Sequence, residues 1–208
     1  MCACRLCAHA TCALFSARHA LSQPPACPGA LPVCFLCQFW DLRAGESVCS
    51  IYGAHVCGDS IDCKGYELLA GSYKPTKQLQ LYDVRTRELI STVPYRQALG
   101  DLPALGDMPS VVAKPATCKI YAASLSKPSE GGDDPNLIAA AGSGTVEGTG
   151  EVRVFARDGL APLGRSTLPR GVYGLDTTRG CTRVAITGGG NKVRVLRVPE
   201  RAPAVELA

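Results

Sequence analysis

The residues best equipped for chemistry in this chain are its cysteines. There are 12 among 208 residues. They crowd the start as Cys2, Cys4, Cys7, Cys12, Cys27, Cys34 and Cys37, followed by Cys49, Cys57 and Cys63, with only Cys118 and Cys181 beyond. Cys4-Arg-Leu-Cys7 and Cys34-Phe-Leu-Cys37 are both C-x2-C pairs. Two such pairs can supply the four thiolates that a tetrahedral zinc takes, which would make the leader a zinc-binding appendage. Two features count against that chemistry. Cys37 lies two residues from Phe39, where a strand is expected, and the stretch between the pairs is an irregular mixture of Ala, Pro and Leu. A disulfide framework would need an oxidising compartment, which nothing else in the sequence suggests. Residues 1–37 are therefore expected to form a disordered, Cys-rich leader that holds no metal. The later cysteines lie in or beside apolar runs and read as small buried hydrophobes.

Other chemical motifs fail on context. Gly142-Ser-Gly-Thr-Val-Glu-Gly-Thr-Gly150 has the glycine content of a phosphate loop. It lacks the following Lys-Ser/Thr, and it precedes a strand where a helix N-terminus is needed. Gly188-Gly-Gly190 fails the same test, and both segments read as turns between strands. No H-E-x-x-H occurs, and no Ser-His-Asp set stands in supporting context. His55 has no second histidine near it, since His9 and His19 belong to the leader, so it reads as a structural residue. No catalytic residue, cofactor or metal is expected, and the chain is not expected to be an enzyme.

Composition narrows the elements that position these residues. Apolar residues make up 46% of the chain, enough for an ordinary core, while 22 Gly and 15 Pro favour short strands and turns. The net charge of +4 is dispersed, without the basic cluster of a nucleic-acid binder. No apolar run is long enough for a transmembrane helix, and Arg5, His9, Arg18 and His19 interrupt any signal peptide. The expected setting is intracellular and cytoplasmic, with no nucleic acid and no membrane among the partners.

A repeat organises the rest. Gln38-Phe-Trp-Asp-Leu-Arg43 matches Gln80-Leu-Tyr-Asp-Val-Arg85, and Val152-Arg-Val-Phe155 matches Val193-Arg-Val-Leu196. The spacing within each pair is about forty residues, and the longer interval between Tyr82 and Phe155 implies an insertion. An apolar run ending in Gly precedes three of these strands: Glu67–Ser72, Asn136–Ser143 and Arg183–Gly188. Before each stands another short strand, at Ser60–Cys63, Cys118–Ala122 and Val172–Asp176. Fourth strands are predicted at Ser47–Tyr52, Glu88–Val93, Leu163–Thr167 and Ala204–Leu207. Four antiparallel strands per unit, in apolar runs divided by Gly, Pro, Asp and Asn, suit stacked sheets.

Phe39-Trp40-Asp41 followed by Gly53-Ala-His55 resembles the WD40 family, whose repeats of about 40–45 residues carry a Gly-His near the start and a Trp-Asp near the end. The resemblance covers roughly residues 38–199, with one well-formed repeat from His55 to Asp83 and two degenerate ones. It implies an all-β fold, a β-propeller of four-stranded antiparallel blades. It also implies a buried hydrogen-bond network joining His55, Ser72 and Tyr82, with Trp40, Asp41 and Asp83 at the matching strand ends. The turn Asp of that network is absent, because the loop reads Lys74-Pro-Thr-Lys77.

The expected organisation is a leader at 1–37 and a partial propeller at 38–208, with insertions at 94–116 and 126–135. The units amount to about three and a half blades, fewer than the four to eight of closed propellers. The implied function is a non-enzymatic protein–protein interaction scaffold that binds other proteins or peptides and can self-associate to complete its ring. The alternatives are a fragment or mispredicted gene product with no independent function, or a propeller with the zinc-binding appendage. If the hydrogen bonds of His55 are buried, His55→Ala lowers stability by about 1–3 kcal/mol. An unchanged melting curve would refute this blade register.

Overall fold

The computed structural model describes residues 3–5, 13–17, 36–95, 118–144 and 148–199. Fifteen strands lie among them, and no helix. The first sheet holds β1 (Ala3–Arg5), β2 (Ala13–Ala17), β3 (Leu36–Asp41) and β4 (Glu46–Tyr52). The second holds β5 (Ile61–Lys64), β6 (Glu67–Gly71), β7 (Leu79–Asp83) and β8 (Leu89–Thr92). The third holds β9 (Lys119–Leu125), β10 (Leu137–Ser143), β11 (Gly150–Ala156) and β12 (Pro162–Leu168), and the last β13 (Val172–Thr177), β14 (Arg183–Gly188) and β15 (Arg194–Arg197). In every sheet the strands follow chain order and each pairs antiparallel with the next.

The sheets stack on one another in the order of the chain. Leu68 of β6 packs with Phe39 and Ile51 of the first sheet, while Leu69 packs with Ile120 and Ile138 of the third. Both leucines are fully buried. The strand alternates its side chains between two faces, and both faces are covered. The same division recurs in the third sheet. Ile138 and Ala140 face the second sheet, while Ala139 and Ala141 face the last, beside Val184 and Ile186. This explains why the middle strands read as continuous apolar runs. The small side chains of Ala139, Ala140 and Ala141 leave room for sheets on both sides.

The first strands of successive sheets lie side by side. Asp59, just before β5, forms a parallel bridge with Ala122 of β9, and Lys127, just after β9, forms one with Arg179 beyond β13. A second regularity lies at the outer side of three sheets. The register between third and fourth strands shifts at Phe39/Trp40, at Leu81/Tyr82 and at Val154/Phe155. In each case an aromatic residue stands at a β-bulge, and one fourth-strand residue is left without a partner. Those residues are Val48, Ile90 and Leu163.

The start of the chain departs from expectation. An irregular leader over 1–37 would leave the first unit with only its last two strands. The backbone instead places Ala3–Arg5 and Ala13–Ala17 as strands, with Ala13 to Ala17 running opposite Asp41 to Cys37. The open edge of β3 presents backbone donors and acceptors, which any extended segment can satisfy, whatever its side chains. The fourth strand expected at Ala204–Leu207 lies outside the described residues, as do Cys7 and Cys34 of the cysteine pairs and most of the 94–116 insertion. The 126–135 insertion is a loop between β9 and β10.

Gly142 shows how closely the strands approach. A Cβ there would stand 1.8 Å from the Lys119 carbonyl oxygen, at the register shift between β9 and β10. Gly142→Ala should cost about 1–3 kcal/mol by overpacking. Gly131→Ala, where the nearest atom lies at 3.7 Å, should stay within about 0.5 kcal/mol of the parent. Equal denaturation midpoints for the two variants would contradict this packing.

Candidate functional site

Three of the six residues singled out by sequence meet beside the linker between β4 and β5. Ser72 Oγ accepts from the backbone amide of His55 at 3.1 Å and from that of Lys74 at 3.2 Å. The His55 carbonyl in turn accepts from the amide of Tyr73, and the two rings meet edge to face at 5.5 Å. Thus Ser72 engages His55 through its backbone. Burial, and after it the charge of Lys74, push the imidazole below its usual range. Tyr82 reaches the same linker from β7. Its hydroxyl lies against the chain at Gly53, and burial raises its pKa. A Cβ on Gly53 would lie 2.3 Å from that hydroxyl, and Gly53 has φ +148°. The Gly-Ala-His sequence is therefore shaped by Tyr82: only glycine lets the ring tip close over the chain.

Trp40, Asp41 and Asp83 lie elsewhere. Trp40 is half-buried on β3. Asp41 and Asp83 close matching hairpins. Asp41 Oδ1 accepts from the amide of Arg43 at 2.8 Å, and Asp83 Oδ1 from that of Arg85, also at 2.8 Å. Their carbonyls accept from Gly45 and Arg87, both in left-handed conformation. A side-chain hydrogen bond from Arg85 holds the Asp83 carboxyl at about 2, well below the usual range. These aspartates are turn formers that fix where the fourth strand begins.

Polar ties also cross between sheets. Asp62 of β5 accepts from Ser124 Oγ at 3.1 Å and from the amide of Leu125 at 2.8 Å, both on β9. Asp176 of β13 takes Lys127 at 2.6 Å. Lys64 pairs with Asp134, and Arg157 with Glu67. Each tie joins chain-neighbouring sheets, so it fixes their relative register.

Sequence reasoning missed two features. The first is a buried ion pair on β11. Arg153 is 2% exposed and lies 2.7 Å from Glu151. Its guanidinium donates to the Tyr95 carbonyl and stacks over the Tyr95 ring, 4.3 Å from the centroid. Tyr95 is buried and packs on Phe155. The V-R-V pattern marked an arginine inside an apolar strand, but its aromatic partner is 58 residues away. Burial raises the thiol of nearby Cys118 to about 12, and that of Cys37 to about 11, so both stay protonated and unreactive at neutral pH.

The second feature is an open pocket of about 30 Å³ between the third and last sheets. Leu168, Val172 and Ile186 form its floor, and Arg170, Lys192 and Arg194 stand around it. Among the described residues, no carboxylate lines it. Gly188 and Gly190, expected as a turn, form part of its wall. Among the described residues, no three His, Cys, Asp or Glu side chains converge as they would on a metal. No helix among the described residues is long and apolar enough to cross a membrane.

The buried pair supplies a stability test. Glu151→Gln leaves the Arg153 charge uncompensated in the core and should cost about 3–5 kcal/mol, whereas replacing both residues by Leu and Met should be far less harmful. A denaturation series in which the single variant is as stable as the double would overturn this reading.

No family model matches the chain, and no curated protein matches it. Among solved structures, the chain is similar to the computationally designed Ika4 protein, at 13% identity and a TM-score of 0.52. That similarity covers 90% of this chain and 86% of the other. At this identity the likeness concerns the fold alone.

Proposed function

We propose that the four sheets are blades of a partial WD-repeat propeller, and that the chain serves as a non-enzymatic scaffold for protein–protein interaction. The observation that carries this reading is the repeated geometry of the third and fourth strands. Trp40, Tyr82 and Phe155 each sit at a bulge in the same place of successive sheets. The stacking in chain order, with first strands side by side, is the arrangement a propeller needs around its axis. The ties at His55, Ser72 and Tyr82 are structural in this reading, consistent with a lowered imidazole pKa and protonated, buried thiols. An intracellular setting belongs to the same reading, since Cys37, Cys118 and Cys181 are free thiols held in the core.

The last sheet has three described strands, and β15 stands at its edge. Its outward face shows Val195, 60% exposed. In this reading, ring completion comes from association, with a second copy or with another protein. The test is light scattering after gel filtration of the full chain, with circular dichroism and a melt. A monodisperse β-rich species with a cooperative melt is expected, and its mass distinguishes a self-completed ring from a monomer awaiting a partner. A chain that is unfolded or polydisperse at every concentration would overturn the proposal and leave the fragment reading in its place.

A further inference from the structure

We propose that the pocket between the third and last sheets is a binding site for a single anionic group, a carboxylate or a phosphate, carried by a partner polypeptide. This deepens the scaffold reading by naming the chemistry of one contact, and rests on it. The surplus of positive charge on the chain is small and dispersed, at +4 overall. Here Arg170, Lys192 and Arg194 line a concavity to which, among the described residues, no acidic side chain contributes. Arg170 and Lys192 are exposed to solvent. Thr187 adds a hydroxyl to the same wall.

The backbone keeps this place open. A Cβ on Gly188 would stand 2.1 Å from the Gly171 carbonyl oxygen, so no side chain can stand there without displacing the wall. Gly190 has nothing within 4 Å of where its Cβ would be, so the lip is unobstructed. The amide of Gly189 donates to Gly171 at 3.0 Å, which ties the two halves of the wall together. The site is therefore a fixed notch made by two turns.

Size and polarity select the ligand class. At about 30 Å³ and open to solvent, the pocket is far smaller than a small-molecule site and admits only a group of a few atoms, such as one anionic head group. Guanidinium groups bind carboxylates and phosphates in bidentate geometry, and lysine adds a point charge. Beneath the opening, Leu168, Val172 and Ile186 are core residues that make the notch firm. Arginine clusters on a rigid frame are a recurrent means of reading acidic or phosphorylated segments.

Fluorescence anisotropy on the full chain tests this with three labelled peptides that differ at one position between leucines: phosphoserine, glutamate or serine. The phosphoserine or glutamate peptide, or both, should bind at least tenfold more tightly than the serine peptide, and their ranking assigns phosphate or carboxylate. The pair Arg170→Glu and Lys192→Glu should abolish that advantage. A control pair at exposed sites away from the pocket, Arg43→Glu and Arg87→Glu, carries the same change of net charge and should leave affinity within about twofold. If the pocket pair melts early, Arg170→Gln with Lys192→Gln is used instead, with the same expected loss. Equal binding of all three peptides, absence of binding, or an equal loss in the control pair would overturn the site. Light scattering on the same samples separates the two readings: a folded parent of unchanged mass that ignores the anionic peptides defeats the pocket and leaves the scaffold proposal standing.

Discussion

Leu68 and Leu69 are bonded neighbours whose side chains lie in different cores, and the whole arrangement follows from that. A strand can bury both faces only if a sheet lies on each side of it, and then every residue of the strand must be apolar or paired. Each middle sheet thus requires the one before and the one after. The first and last sheets have a covered face and an outward face, and their sequences show it. In β14, buried Val184 and Ile186 alternate with exposed Arg183 and Thr187.

Where a polar group does enter the stack, it is held by a partner. Asp62, Glu151 and Ser72 each accept from named donors, and Asp62 and Ser72 link parts of the chain that propensity alone would leave free. Arg153 is the extreme case. It is buried under Tyr95, immediately before the 94–116 insertion continues, so the point where the chain leaves the second sheet is fixed by a charge in the third. The cost of hiding that charge is offset by Glu151, by a backbone carbonyl and by the face of an aromatic ring.

The strands were largely legible in the sequence because two-faced burial writes itself as unbroken apolar runs, ended by Gly or Asp. β6, β10 and β14 stand where such runs stand, and the repeat of Trp40, Tyr82 and Phe155 marked positions that share one backbone irregularity. The pairing of β1 and β2 was not legible, since backbone hydrogen bonds to an open edge leave little trace in side-chain pattern. Nor was the way Ser72 holds His55: the resemblance implied only a network joining the two, and Ser72 Oγ takes the His55 backbone amide. The Arg153 contact depends on a separation of 58 residues, and the pocket on two turns that are distant in sequence, so neither carries a local signal.

Stacking in chain order has a consequence for biosynthesis. Each sheet finds its packing surface on the sheet made just before it, so no part of the described stack must wait for a distant segment to be translated. A chain emerging from the ribosome can add one layer at a time, each new layer covering the apolar face left by the last. At every stage only one such face is uncovered at the growing end, and the period of exposure is set by the time needed to synthesise one repeat.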